Sequence, residues 1–594
     1  MELDHWPNLV AMFFDQAQSK ESAPFLWAKR DDAWQSISWH DASEQVSSLA
    51  RALRAYGLTD GDRVVLVADN SPEWAIADFA IMAAGGVTVP AYVTNTPNDH
   101  KHILTDSGAV IAIVSTAKLA TSLLHAATEA PLLKRVISIE ALHENAGSHI
   151  TTTLWRDALD HGNSQPNNLI SEAASIQPDS LACLIYTSGT GGTPKGVMLS
   201  HRSILCNCVG AYNLLLALGL EDEVFLSFLP LSHSYEHSCG LMFPISIGAQ
   251  IYYSEGLDKL SSNLTEVRPT LMTSVPRLYE VMRLKILDGV QRAGGLREKL
   301  FKLAIYLGRK SYSLGGTLPV HERLLDKLVD KLVRDKVKGR FGGRLKAMVS
   351  GGAPLNFDVG IFFSALGLRL LQGYGQTEAA PVISCNPSSK IKLDTVGPPL
   401  AHVEVQLADD GEILVRGPLL MTGYWAQPKI TNEALRGGWL HTGDIGEIDA
   451  DGYITITDRK KDIIVLSGGD NISPQRVEGI LCLEPEIEQA IVIGDKRKHL
   501  VGILVPSQDL RKEWLKTNDD VAELKQTPND LRRRDAISDA VHRANKSLSV
   551  IEQIRRFALA EQPFTVENEM LTPTMKNRRH KIIEHYGETI ETLY

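Results

Sequence analysis

Apolar and polar positions change their spacing in a regular way along the first half of the chain. Val46, Leu49 and Leu53 recur three or four residues apart, which is one face of a helix; Asp41 is placed to cap it and Gly57 to stop it. The run DRVVLVADN (62–70) then switches to continuous β-branched residues, the pattern of a strand buried on both faces. Ser71-Pro72 reads as the next helix start, with serine as cap and proline at the first position. AVIAIVS (109–115) and LACLIY (181–186) repeat the short apolar pattern. Helix and buried strand in alternation predict a large α/β domain with parallel-rich sheets and helices.

From about residue 446 the pattern shortens. EIDADGYITITDRKKDIIVLSGGDNISP (447–474) reads as brief strands joined by tight turns at Asp451-Gly452 and Gly468-Gly469, with Ser473-Pro474 opening a helix. QAIVIGDKRKHLVGILVPS (489–507) reads as two strands around a polar turn. A small α+β C-terminal domain is therefore expected over 459–594, with 1–458 as the large domain.

Within the large domain lies a segment of different character. Residues 283–346 hold 17 Lys+Arg against 6 Asp+Glu, a local net of +11 in a chain whose overall net charge is -10. Within it, 322–339 is amphipathic, with Leu325, Leu328, Val329 and Leu332 forming the expected apolar face and Lys327, Lys331, Arg334 and Lys338 around it. A helix packed on its own domain and a helix lying on an anionic membrane surface both fit this pattern.

Bulk properties narrow the class. A chain of 594 residues exceeds one hydrophobic core. The acidic balance argues against general nucleic-acid binding. The N-terminus lacks the basic region of a signal peptide, and no apolar run is long enough to span a bilayer. The six cysteines form no zinc-like pairs and read as free thiols in a reducing compartment. A cytoplasmic protein is expected, with peripheral contact at the inner membrane face through 283–346 left open. The oligomeric state is open too, a dimer included.

Residues 186–196, YTSGTGGTPKG, follow the apolar run at 181–186 and so leave a strand end. Glycines with hydroxyl residues let backbone N–H groups approach an anion, and Lys195 adds a cation. The spacing from Gly189 to Lys195 matches a Walker A loop, but Pro194 and Gly196 stand where that loop needs Gly and Ser/Thr. The stretch instead resembles the phosphate-binding motif of the adenylate-forming superfamily: acyl-CoA synthetases, luciferases and peptide-synthetase adenylation domains. That family usually has Thr where Gly191 stands. Its other motifs follow in family order: LPLSH (229–233), SGGAPL (350–355), GYGQTE (373–378), GWLHTGD (438–444), DRKKD (458–462) and a late lysine in LTPTMKNRR (571–579). The segment 437–465 and the basic insert are similar to the long-chain fatty acyl-CoA synthetase branch.

The resemblance implies a two-step reaction: ATP and a fatty acid give acyl-AMP and pyrophosphate, then CoA takes the acyl group and AMP leaves. It implies ATP contacts at Thr187, Ser188, Gly189, Thr190, Lys195, Gly351, Gly352, Ala353, Tyr374, Asp444 and Arg459. Catalytic parts fall to Thr377, Glu378, Lys576 and His233, with Glu378 holding Mg²⁺. Met575 stands where many members have Gly before the adenylation lysine. Lys461 is expected as the hinge on which the small domain turns, and His237 as a gate on the acyl passage. Two other functions are set beside this one: an acyl-AMP ligase serving a carrier-protein thiol, disfavoured because no attachment serine follows in the sequence, and a non-catalytic nucleotide-binding protein.

Overall fold

The computed structural model describes residues 1–142, 150–187, 193–468, 470–517, 531–572 and 576–594. The large unit holds two eight-stranded sheets and a five-stranded antiparallel one built from strands between Glu404 and Arg459. In the first, the strands Arg63–Val67, Val87–Pro90, Ile111–Val114, Arg135–Ser138, Thr151–Leu154 and Leu181–Thr187 run parallel, and Lys195–Ser200 returns antiparallel to Leu181–Thr187. In the second, Val224–Ser227, Gln250–Tyr253, Leu271–Ser274, Ala347–Ser350 and Leu370–Gly375 are parallel.

The apolar strands are continuous because both sheet faces are covered. Val64 and Leu66 point into the core shared by the two sheets, while Val65 and Val67 join a second core under the outer helices. The second sheet divides in the same way: Phe225, Leu271 and Leu371 face inward, while Leu226, Met272 and Leu370 face the helices of the basic segment. Successive side chains of a strand take opposite faces, so an apolar residue at every position serves two cores. The helix Pro72–Ala83 is buried all round between the sheets, its start capped by Ser71 as the sequence predicts.

The helix expected after Asp41 begins earlier, at Trp39. Ser38 is its cap: its hydroxyl accepts the Asp41 N–H at 3.0 Å and donates to the Asp41 carboxylate at 2.7 Å. Asp41 thus helps the cap from the first turn instead of being it.

Residues 464–594 build two cores of their own on either face of a three-stranded sheet. Ile487–Ile493 and Leu500–Pro506 are antiparallel, and Ile554–Leu559 adds parallel to the second. Val492 and Leu504 pack under Pro474–Leu481 and Leu531–Asn545, whereas Val501 and Ile503 meet the C-terminal helices. Ser473 caps Pro474–Leu481 as expected. All six cysteines are free. Among the described residues no helix is long and apolar enough to cross a membrane.

The basic segment is helical: Pro276–Ala293, Gly295–Ser313, then Val320–Val329 running through a π turn into Asp335–Arg340. Its expected apolar face divides. Val329 is fully buried, but Leu325, Leu328 and Leu332 are exposed. The inward side is formed by Val329 and Val333 instead, because Arg334 turns inward between them to bind the Ala365 carbonyl at 2.7 Å.

Candidate active site

In open α/β sheets ligands gather beyond the carboxyl ends of the strands. Here those ends bring together Thr187, the 228–237 segment, Gly351 and Thr377. Thr187 pairs directly with Lys195 across the hairpin, so the glycine loop leaves and re-enters the sheet at one point. Ser188, Gly189 and Thr190 lie outside the described residues. The Pro194 carbonyl at the loop's exit accepts from His102 Nε2 at 2.8 Å.

Lys195 Nζ lies 5.2 Å from the centre of the Tyr424 ring. Tyr424 reaches it because Gly423–Tyr424 pairs with Lys195–Ser200, Tyr424 opposite Val197. The Tyr424 hydroxyl donates to Glu378 at 2.8 Å, which ties the loop lysine to the acid of GYGQTE. Next to that acid, the Thr377 and Ser234 hydroxyls are 3.0 Å apart. Neither Tyr424 nor Ser234 is marked by a local sequence pattern; each gains its place from a chain crossing 46 or 143 residues away in sequence.

His233 starts a short helical turn, Ser234–Glu236, and its Nδ1 accepts the Tyr235 N–H at 3.1 Å. Burial, with the Lys576 cation as a second cause, lowers its pKa to about 4. The ring is therefore neutral at pH 7, with its proton on Nε2, a donor at the cavity wall. Beneath it, the fully buried Glu236 carboxyl accepts from Ser227 at 2.7 Å and Thr273 at 2.5 Å, and burial pushes its pKa up to about 7. The Tyr235 hydroxyl donates to the Val349 carbonyl at 2.9 Å. Its ring lies against Gly351, where a Cβ would come within 3.0 Å. Gly352, at φ 80°, and Ala353 continue that wall beside the cavity.

Tyr374, Asp444 and Arg459 form one cluster. Asp444 and Arg459 face each other across an antiparallel pair, with Arg459 Nε 3.0 Å from one carboxylate oxygen. The Tyr374 hydroxyl donates to the other oxygen at 2.6 Å. Burial and the Asp444 charge hold the Tyr374 phenol well above its usual range, so it stays a donor. Asp444 is almost fully buried, and these two partners satisfy both of its carboxylate oxygens.

Lys576 comes from the small unit. Its N–H donates to Thr572 Oγ1 at 3.1 Å and its carbonyl accepts the Thr572 N–H at 2.8 Å, which ties Lys576 to the residue four places before it. Asn577 and Arg579 anchor the following residues to the carbonyls of Ala490 and Val492. The side chain is open toward the cavity, yet the surrounding protein and the Arg459 cation lower its pKa to about 8 against the pull of Asp444 and Glu378. Lysine, arginine, the two carboxylates and His233 thus share one electrostatic neighbourhood, although they come from five separate motifs. Lys461 stands apart, exposed in the turn after Ile454–Arg459, while its neighbour Lys460 binds Glu412 at 3.2 Å.

His237 does not gate anything here. His237 follows the turn Ser234–Glu236 and is not part of the cavity lining. It is fully buried, with Nε2 2.7 Å from the Asp78 carboxylate and Trp74 edge-on at 5.6 Å.

The cluster opens into a cavity of about 1600 Å³, larger than an ordinary small-molecule pocket. His233, Tyr235 and Lys576 are part of its lining. Its apolar lining includes Leu264, Met282 and Phe301, with Leu332, Val333 and Phe341 of the basic segment. Among the described residues no three metal-ligating side chains gather. Glu378 offers one carboxylate oxygen beside the one that accepts from Tyr424, a set that fits Mg²⁺ carried in by phosphates and not a caged ion.

The model of the AMP-binding enzyme family matches residues 13–425, and that of the AMP-binding enzyme C-terminal domain matches 461–594. The chain belongs to this family. Curated relatives of this AMP-binding enzyme include the long-chain-fatty-acid–CoA ligase FadD15 of Mycobacterium bovis, 32% identical over 602 residues, covering 99% of this chain and 97% of that protein. The peroxisomal long chain acyl-CoA synthetase 6 of Arabidopsis thaliana is 32% identical, covering 94% of this chain and 81% of its own. Among solved structures, the adenylation domain of a carboxylate reductase from Mycobacterium chelonae superposes with a TM-score of 0.79 at 22% identity, over 99% of this chain and 91% of that one. An anthranilate CoA ligase holding anthranoyl-AMP gives 0.71 at 20% identity, over 98% of this chain and 99% of that one. The expected adenylate-forming fold, a large α/β part with a smaller α+β part, is borne out.

Proposed function

We propose that this AMP-binding enzyme is a long-chain-fatty-acid–CoA ligase. The carrying observation is the convergence of Lys195, Thr377, Glu378, Asp444, Arg459 and Lys576, the last of which also lines a large, mainly apolar cavity. Names and full-length coverage of the relatives support the same activity.

In the first step a fatty-acid carboxylate oxygen attacks the α-phosphorus of ATP, and the bond to pyrophosphate breaks. Two anions must meet, so cations matter most. Lys576 bridges the carboxylate and the α-phosphate, with Thr377 donating a hydroxyl there. Lys195 and the loop it closes hold the outgoing pyrophosphate. Tyr374 and the 351–353 wall flank the adenine, while Asp444, steadied by Arg459, accepts from the ribose hydroxyls. Glu378 holds Mg²⁺, which supplies charge neutralisation on the phosphates when bound. His233 gives its Nε2 proton as a hydrogen bond to the acyl oxygen. In the second step the CoA sulfur attacks the acyl carbon, and the mixed anhydride releases AMP. The small domain, 459–594, reorients between the steps about Lys461.

The test is direct. Purified protein with ATP, Mg²⁺ and palmitate is expected to yield AMP and pyrophosphate, with rapid turnover only when CoA is present. Formation of ADP, or no turnover with any acid across a chain-length panel, would remove the proposal.

A further inference from the structure

We infer that His102 and Asp106, on the helix Pro97–Ser107, are positioning residues for ATP: between them they hold both ends of the glycine loop at the β- and γ-phosphates. The inference rests on the ligase function proposed above, and adds residues to its nucleotide site.

A spacing of four places both side chains on one face of the helix. Each reaches a different end of the loop. At the entrance Tyr186 precedes Thr187, and its hydroxyl donates to the Asp106 carboxylate at 2.6 Å. Burial and the Asp106 charge hold that phenol well above its usual range, so it stays a donor. At the exit Pro194 precedes Lys195, and its carbonyl accepts from His102 Nε2 at 2.8 Å. A carbonyl can only accept, so the proton on Nε2 is fixed by its partner. The His102 ring also meets the Tyr186 ring edge-on, with centres 5.7 Å apart. Thr187 and Lys195, paired across the hairpin, thus each adjoin a residue tied to the same helix.

A third tie passes through Trp425. Its Nε1 donates to the Asp106 carbonyl at 3.0 Å and its backbone N–H to the Gly196 carbonyl at 2.8 Å. That steadies the neighbouring Tyr424, whose ring faces Lys195. The helix itself is well anchored. A Thr96–Asp99 capping box closes its start, and Ile103 and Leu104 join the core under the outer helices. Arg63 donates to the Ser107 and Gly108 carbonyls at its end, at 2.6 and 3.1 Å. Three of the seven residues between Thr187 and Lys195 are glycine, which restrains a chain least, so the placement of these two depends on contacts at the ends. Groups fixed before a ligand arrives cost less to order on binding. None of His102, Asp106, Tyr186 and Trp425 lines the large cavity, so the brace bears on the phosphates and not on the acyl chain. It should therefore favour ATP and leave AMP, which lacks the outer phosphates, unaffected.

Calorimetric titration with Mg²⁺–ATP and with AMP tests this on His102→Ala, Tyr186→Phe and His102→Gln. Kd for ATP is expected to rise about tenfold in His102→Ala and in Tyr186→Phe, each of which loses one hydrogen bond, while Kd for AMP stays within about twofold. His102→Gln keeps a side-chain N–H donor and should return to within about threefold of wild type. The double variant His102→Ala with Tyr186→Phe should lose less than the product of the two single losses, since both act on one loop. In ATP–pyrophosphate exchange, KM for pyrophosphate should rise with Kd for ATP while KM for palmitate holds. Should His102→Ala not fold, Tyr186→Phe, which removes a single oxygen, carries the test. ATP affinity within twofold of wild type in the folded variants, or equal losses for ATP and AMP, would overturn the inference. A wild type with no acid-dependent exchange across a chain-length panel would instead count against the ligase function, and the ATP–AMP comparison would still decide the brace.

Discussion

Replacing Lys576 by methionine keeps an unbranched side chain one atom shorter and removes its charge. The ammonium sits between the carboxylates of Asp444 and Glu378 and the cation of Arg459, and its pKa of about 8 reflects partial desolvation. For a unit charge about 4 Å from the developing anion at an effective dielectric near 20, the interaction is about 4 kcal/mol, or roughly a thousandfold in rate. ATP–pyrophosphate exchange in the presence of palmitate isolates the first step and should fall by about that factor. CoA transfer from synthetic palmitoyl-AMP should change by less than about threefold. The pH dependence carries the sign. The protonated lysine is the active form, so kcat/KM for exchange, which reports the free enzyme, is flat below about pH 8 and falls above it, to about a tenth of the plateau at pH 9. His233, with a pKa of about 4, stays neutral across that range and contributes no limb. Lys576→Arg should remove the alkaline fall whatever its effect on the plateau. Equal losses in both half-reactions, or an exchange rate that keeps rising beyond pH 9, would refute the assignment.

Asp444→Asn removes a charged acceptor worth about 1.5–3 kcal/mol per hydrogen bond, so KM for ATP should rise roughly ten- to hundredfold with KM for palmitate unchanged; steady-state kinetics check both. Gly351→Ala places a methyl within 3.0 Å of the Tyr235 ring, whose hydroxyl is fixed on Val349, and should cost about 1–3 kcal/mol, read as a lower denaturant midpoint. Lys461→Pro restricts the backbone in the turn between the two units. Pyrophosphate exchange should survive within about threefold while overall acyl-CoA formation falls about a hundredfold or more; loss of both alike would show that the turn is structural.

The sheets were legible because buried parallel strands announce themselves: 64–67, 111–114 and 181–186 are runs in which every position serves one core or the other. Caps such as Ser71 and Ser473 were equally local and equally readable. The site was legible only as ordered motifs, since nothing about Asp444 or Lys576 alone marks it as part of a cluster. What escaped the sequence were partners supplied by a distant crossing: Tyr424 on Glu378, Ser234 on Thr377, and Glu236 bridging Ser227 and Thr273 beneath His233. His237 failed as a gate for the same reason. Its four-residue offset from His233 would keep both on one face of a regular helix, but His233 is the cap, in extended backbone at φ -91° and ψ 132°, so only His237 follows the helix, and its ring meets Asp78. The stretch 322–339 makes the converse point. Its periodicity correctly marked an apolar face at Leu325, Leu328 and Leu332, and a packed helix would have hidden them. Periodicity reports that a face avoids water; it does not report what covers it. Since the protein turns Val329 and Val333 inward and leaves those leucines out, the cover must be sought beyond this chain's own core.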